Sequence, residues 1–92
     1  MNGLAPDRKP MLRPGCRLSD APGQPDMLLI PEGALRLAGP GLKIVELCDG
    51  ERSIADIVRE LQALYPSAPP AQIAEEVAAF LERLRAKSVV EF

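Results

Sequence analysis

The sequence predicts an α+β domain of the winged helix-turn-helix kind: a small antiparallel N-terminal sheet, then three helices and a short C-terminal strand. Three observations carry this expectation. Six of the ten prolines fall before residue 32, which keeps the N-terminal third from being helical. Between Gly39 and Leu64 two helical stretches flank the punctuated turn Asp49-Gly50-Glu51-Arg52. Beyond Pro70, apolar residues recur at helical spacing as far as Leu84.

Taken in order, residues 1–10 show no periodicity and read as a mobile tail, leaving residues 11–92 as one domain. Pro14-Gly15 marks a turn and Cys16 to Leu18 a short strand. Arg8, Lys9, Arg13 and Arg17 stand against the single Asp7, so this arm is locally basic. It reads as a solvated arm, or more sharply as a docking arm for an acidic partner. Asp20 to Asp26 is a loop by composition. Met27 to Ile30 then reads as a strand and Pro31-Glu32-Gly33 as a three-residue hairpin loop, with Gly33 supplying positive φ in a G1 bulge. Ala34 to Leu37 returns, with Leu35 and Leu37 on one face and Arg36 on the other.

Pro40 suits the first turn of a helix, where its missing N–H has no partner to lose. Leu42, Val45 and Cys48 fall on one side of that helix, and Gly50 is placed to end it as a C′ residue. Ser53 is the expected N-cap of the next helix, and Asp56 favours the positive end of its dipole. Ile54, Ile57, Val58, Leu61 and Leu64 form its apolar stripe. Tyr65-Pro66-Ser67-Ala68-Pro69-Pro70 breaks this helix and starts another. There Ile73, Val77, Phe80, Leu81 and Leu84 share a face; Glu75 and Glu76 come early, Arg83, Arg85 and Lys87 late, matching the macrodipole. Ser88 ends the run, and Val89 to Phe92 reads as a last short strand.

Catalysis has little to work with. The 92 residues contain no histidine, and no carboxylate or lysine is paired with a nucleophile. Ser19, Ser53, Ser67 and Ser88 lack a nucleophile-elbow context. Gly33, Gly39 and Gly41 lack the Gly-Lys-Ser/Thr ending of a phosphate loop. Cys16 and Cys48, 32 positions apart, match no zinc-finger spacing and are expected reduced and unpaired. No apolar run approaches the roughly 18 residues of a membrane span, and no signal-peptide pattern opens the chain, so a cytoplasmic protein is expected.

A helix-turn-helix raises nucleic-acid binding, and a winged-helix regulator is the alternative function. The second helix offers Arg59 and Gln62 but also Asp56 and Glu60; the third shows Glu75, Glu76 and Glu82. With a net charge of −2, such faces repel phosphate, and no nucleic-acid partner is expected. A peptide-binding module fits better. So small a sheet has an unpaired edge, and an edge accepts an added strand. The third helix beside that edge would wall in the guest's side chains.

The residues also carry a resemblance. Leu29-Ile30-Pro31-Glu32-Gly33, Leu37, Ile44-Val45-Glu46-Leu47-Cys48-Asp49-Gly50 and Ser53-Ile54-Ala55-Asp56-Ile57 resemble the PqqD family of pyrroloquinoline quinone (PQQ) biosynthesis. The opening Pro10 to Leu18 is similar to that family's start, so the likeness runs from about Pro10 to the C-terminus. It implies a non-catalytic peptide chaperone, a leader-peptide recognition module. Its partners would be the precursor peptide PqqA and the radical S-adenosylmethionine enzyme PqqE, which cross-links the peptide's glutamate and tyrosine. The chemistry and its cofactors belong to that enzyme, so none is expected here. In that class the peptide adds to an edge strand and lies against the third helix. On matching positions these are Ala34, Leu35, Arg36 and Leu37 for the edge, and Ile73, Val77 and Phe80 for the wall.

One departure stands out: Ala38-Gly39-Pro40-Gly41 replaces the family's Asn-x-Thr/Ser-type helix start. Asp49, Gly50 and Arg52 read as a structural turn, with contact to the partner enzyme as the sharper alternative. An open edge is also compatible with either a monomer or a homodimer.

Overall fold

Leu28, with no exposed surface, is the sheet's deepest contribution to the core. It lies in β3 (Met27–Ile30). The computed structural model describes residues 5–19, 23, 26–37 and 39–92. The N-terminal four residues of the expected tail and most of the expected loop from Asp20 to Asp26 lie outside them. Strand β3 is flanked by β2 (Arg17–Leu18) and β4 (Gly33–Arg36) in an antiparallel sheet of order β2-β3-β4. A separate antiparallel pair joins β1 (Met11–Leu12) to β5 (Val90–Glu91), tying the two ends of the domain together. Helices α1 (Gly41–Glu46), α2 (Ile54–Leu64) and α3 (Pro70–Ala86) lie between in sequence. The α+β winged-helix-like architecture expected from the sequence is the one observed.

Details of the expectation shift. Ile30 pairs with Gly33, so the hairpin loop is the two residues Pro31-Glu32 rather than three. Gly33 still takes a positive φ of 150°. The first helix stops at Glu46, short of the end assigned to Gly50. Gly50 does adopt φ 78°, but beyond the helix, where Asp49 bridges to Met11 and the Gly50 N–H donates to the Pro10 carbonyl at 3.0 Å. Pairing with the N-terminal segment therefore replaces the last helical turn. Ile44 and Val45 are the buried side chains of α1, and Leu42 is only partly buried.

Helix α2 begins as its sequence dictates. The Ser53 hydroxyl accepts from the Asp56 N–H, and the Asp56 carboxylate accepts from the Ser53 N–H, both at 3.1 Å. The two remaining orphan donors find partners in the segment assigned to a mobile tail. Ile54 N–H donates to the Arg8 carbonyl at 2.8 Å and Ala55 N–H to the Pro6 carbonyl at 3.0 Å. Pro10 is fully buried. From Pro6 to Pro10 the chain is thus bonded to the domain, a difference from the tail that composition suggested.

Helix α3 has Pro70 in its first turn and buries Ile73, Val77, Ala78, Leu81 and Leu84. It ends in a Schellman arrangement in which Ser88, at φ 60°, takes the place usually held by glycine. Val89 N–H donates to the Leu84 carbonyl at 2.9 Å and Ser88 N–H to Arg85 at 3.0 Å.

Candidate functional site: an open strand edge beside an apolar groove

Strand β4 is the last strand of its sheet, and its register fixes what its free side presents. Leu37 N–H donates to the Asp26 carbonyl at 2.8 Å, so Leu37 faces inward to β3. In an antiparallel ladder successive residues alternate between inward and outward backbone groups. Leu35, opposite Leu28, and Gly33, opposite Ile30, therefore also bond to β3. Ala34, opposite Leu29, and Arg36, opposite Met27, turn their N–H and C=O groups outward. The same alternation holds on the far side of β3, where Ser19 N–H donates to the Met27 carbonyl at 2.8 Å.

Between this strand and α3 runs a groove of about 720 Å³. Six of the seven residues singled out by sequence line it: Leu35, Arg36 and Leu37 on one side, Ile73, Val77 and Phe80 on the other. Ala34 is exposed and does not line it. Leu37, Ile73 and Val77 are buried, while Leu35 and Phe80 are half-buried, at the boundary between core and groove. Leu37 sits just past the strand, held by its bond to Asp26. Arg36 reaches back to Asp26 at 2.8 Å.

Sequence reasoning did not place α1 or the end of α2 in this site. Gly41 and Ile44 of α1, with Leu61 and Tyr65 at the end of α2, line the groove as well. So do Arg83 and Lys87 at the C-terminal end of α3. For the two cations the signal was available: they follow Phe80 at i+3 and i+7, on the same face. For Gly41 it was not, since only the fold brings it under the Phe80 ring.

Little in the site suggests bond-making chemistry. Among the described residues, no group of three or more histidine, cysteine, aspartate or glutamate side chains is placed to hold a metal ion. Cys48 is buried, its thiol donates to the Ile44 carbonyl at 3.2 Å, and burial, with Asp49 adding, pushes its pKa up to about 12. Such a thiol is inert at neutral pH. Cys16 and Cys48 are both free. Asp49 is held below the ordinary carboxylate range by the N–H groups of Arg52 and Glu51, and its carboxylate also pairs with the Arg52 guanidinium. These bonds give the turn a structural job. Among the described residues no helix is long and apolar enough to cross a membrane.

A nucleic-acid surface on α2 fares no better. Arg59 is engaged by Asp56 at 2.7 Å, and Gln62 donates to the Pro70 carbonyl at 3.1 Å.

The family model for coenzyme PQQ synthesis protein D (PqqD) matches residues 27–90. The chain belongs to the PqqD family. A relative from Pseudomonas aeruginosa, named PqqA binding protein, is 40% identical over 86 residues, covering 92% of this chain and 91% of its own. Another of the same name from Pseudomonas entomophila is 39% identical over 79 residues, 85% of each chain. Among solved structures, the solution structure of the PqqD truncation of Methylobacterium extorquens PqqCD superposes with a TM-score of 0.72 at 30% identity. The match covers 90% of this chain and 88% of that one. That protein is described as a functional, stand-alone recognition element for ribosomally synthesized and post-translationally modified peptides. The PqqD resemblance carried by the sequence motifs and the PqqD-like fold are thus both found.

Proposed function

We propose that this chain is a non-catalytic chaperone of PQQ biosynthesis that binds the precursor peptide PqqA by strand addition and presents it to PqqE. The observation that carries the reading is the open edge of β4 lying directly beside an apolar groove. The outward N–H and C=O groups of Ala34 and Arg36 offer a guest backbone the bonds that β3 supplies on the other side. A strand laid there points alternate side chains at the groove, where Leu35, Ile73, Val77 and Phe80 receive them. Membership of the PqqD family, and relatives named for binding PqqA, support the identity of the guest.

Presentation follows from the division of labour. An extended segment held by its backbone leaves residues outside the groove accessible, and a partner enzyme supplies the cross-linking chemistry. Calorimetric titration with PqqA, followed by sedimentation of the mixture with PqqE, tests both halves. A saturable one-to-one complex that then co-sediments with PqqE is expected. Failure to bind PqqA would refute the chaperone reading, and binding without PqqE recruitment would refute presentation. The Phe80→Asp variant should lose peptide binding in a folded protein.

A further inference from the structure

The groove is not electrically uniform. Four charged side chains line it: Arg36, Glu76, Arg83 and Lys87. Arg36 is neutralised by Asp26 at 2.8 Å. Glu76 accepts from the Gln72 amide at 3.2 Å. Arg83 and Lys87 differ, since among the described residues neither has an ion-pair partner. Both are exposed on the last turn and C-cap of α3, where they are i,i+4 neighbours of like charge. That spacing is mildly repulsive on a helix surface. The Arg83 guanidinium is held 5.7 Å from the centroid of the Phe80 ring, so it sits beside the aromatic wall of the groove.

Two unpaired cations at one end of an apolar groove, on a chain whose net charge is −2, form a local feature rather than a reflection of composition. Glu76 precedes Arg83 by seven residues, about 10 Å along a helix. An extended guest covers that span in roughly three residues. We propose that Arg83 and Lys87 form an acid-reading end to the groove, and that the segment held there is an extended peptide with apolar anchors and a carboxylate beside Arg83 and Lys87. The Glu76 end disfavours a second acid about three residues away, so the charge gradient also sets which way the guest lies. This inference rests on the strand-addition reading and gives it a specificity determinant.

A cation at a helix C-terminus also complements the dipole, so thermal stability must be followed beside affinity. The test is titration of the full chain with PqqA, and with PqqA carrying Asn and Gln in place of Asp and Glu. It compares wild type, Arg83→Gln/Lys87→Gln, Glu76→Gln and Phe80→Asp at low and high salt. The double variant is expected to bind PqqA about five- to tenfold more weakly, with a flatter salt dependence, as two exposed ion pairs would give. It should bind the neutralised peptide as wild type does, and Glu76→Gln should hold or gain affinity. If Phe80→Asp abolishes binding while the double variant stays within twofold of wild type at both salts, the acid-reading end is refuted and the groove stands. If Phe80→Asp binds normally, or wild type binds no PqqA, the groove reading fails and this inference with it.

Discussion

A Cβ placed on Gly41 would stand 3.0 Å from Cζ of Phe80 and 3.2 Å from its Cε1. Gly41 opens α1 with an ordinary helical φ, so its lack of a side chain serves close approach rather than backbone freedom. The Phe80 ring rests on that bare backbone and so borders the groove without filling it. This is where the Gly39-Pro40-Gly41 helix start meets the candidate site. Gly41→Ala should push the ring toward the groove. Peptide affinity is expected to fall roughly tenfold, about 1.4 kcal/mol, with thermal stability less affected. Calorimetry and a melting curve on the same variant check it; lost stability with unchanged affinity would mean that the ring does not border the binding site.

The strand register gives proline substitutions a parity. Ala34→Pro and Arg36→Pro remove outward N–H groups, so the hairpin keeps its bonds while an added strand loses a donor and meets the ring. Each lost bond is worth roughly 1 kcal/mol, about fivefold in affinity, before any steric penalty. Leu35→Pro removes a bond to Leu28 and should lower the melting temperature instead. Circular dichroism melts beside peptide titrations separate the two classes.

Ser88 holds φ 60°, a conformation that costs a non-glycine residue about 1 kcal/mol or more. Its side chain is exposed, so nothing is gained in packing. Ser88→Gly should therefore raise stability by about 1 kcal/mol in urea denaturation, leaving peptide binding unchanged.

Asp56 is held below its ordinary value of 3.8 by the Ser53 N–H first, then by the Ser53 hydroxyl, with Arg59 adding. Its folded pKa is thus lower than its unfolded one, so the folded state binds the proton less readily. The capping box contributes fully above the ordinary carboxylate pKa and is lost as pH falls through the lowered folded value. Asp49 acts in the same direction. Asp56→Asn should melt earlier than wild type near neutrality, and the gap should close on acidification below about pH 4. Melts across that range measure it; a gap independent of pH would mean that the charge is not involved.

Local signals made much of this fold legible. Ser53 with Asp56 marked α2, Pro70 with the Ile73-to-Leu84 stripe marked α3, and Pro31-Glu32-Gly33 between two apolar runs marked the hairpin. The extent of α1 was not legible, because Gly50 has the conformation of a helix stop while Met11, nearly forty residues away, decides where the helix ends. Pro6 to Pro10 look like a tail by composition because their role is carried by carbonyl groups, which every residue type has. In the candidate site, alternation put Leu35 and Leu37 on one face and the helical stripe grouped Ile73, Val77 and Phe80, but their assignment to a peptide site came from the PqqD resemblance. Gly41 and Tyr65 line the groove through contacts that no local pattern encodes.

The central claim is that PqqA adds as a strand to β4, and amide hydrogen exchange at four consecutive residues tests it most directly. In the free protein Leu35 and Leu37 amides, bonded to β3, should exchange slowly, and those of Ala34 and Arg36 rapidly. Saturating PqqA should slow Ala34 and Arg36 by at least tenfold, with shifts in Ile73, Val77 and Phe80 of α3. A saturated complex in which Ala34 and Arg36 still exchange as fast as in the free chain would contradict the account.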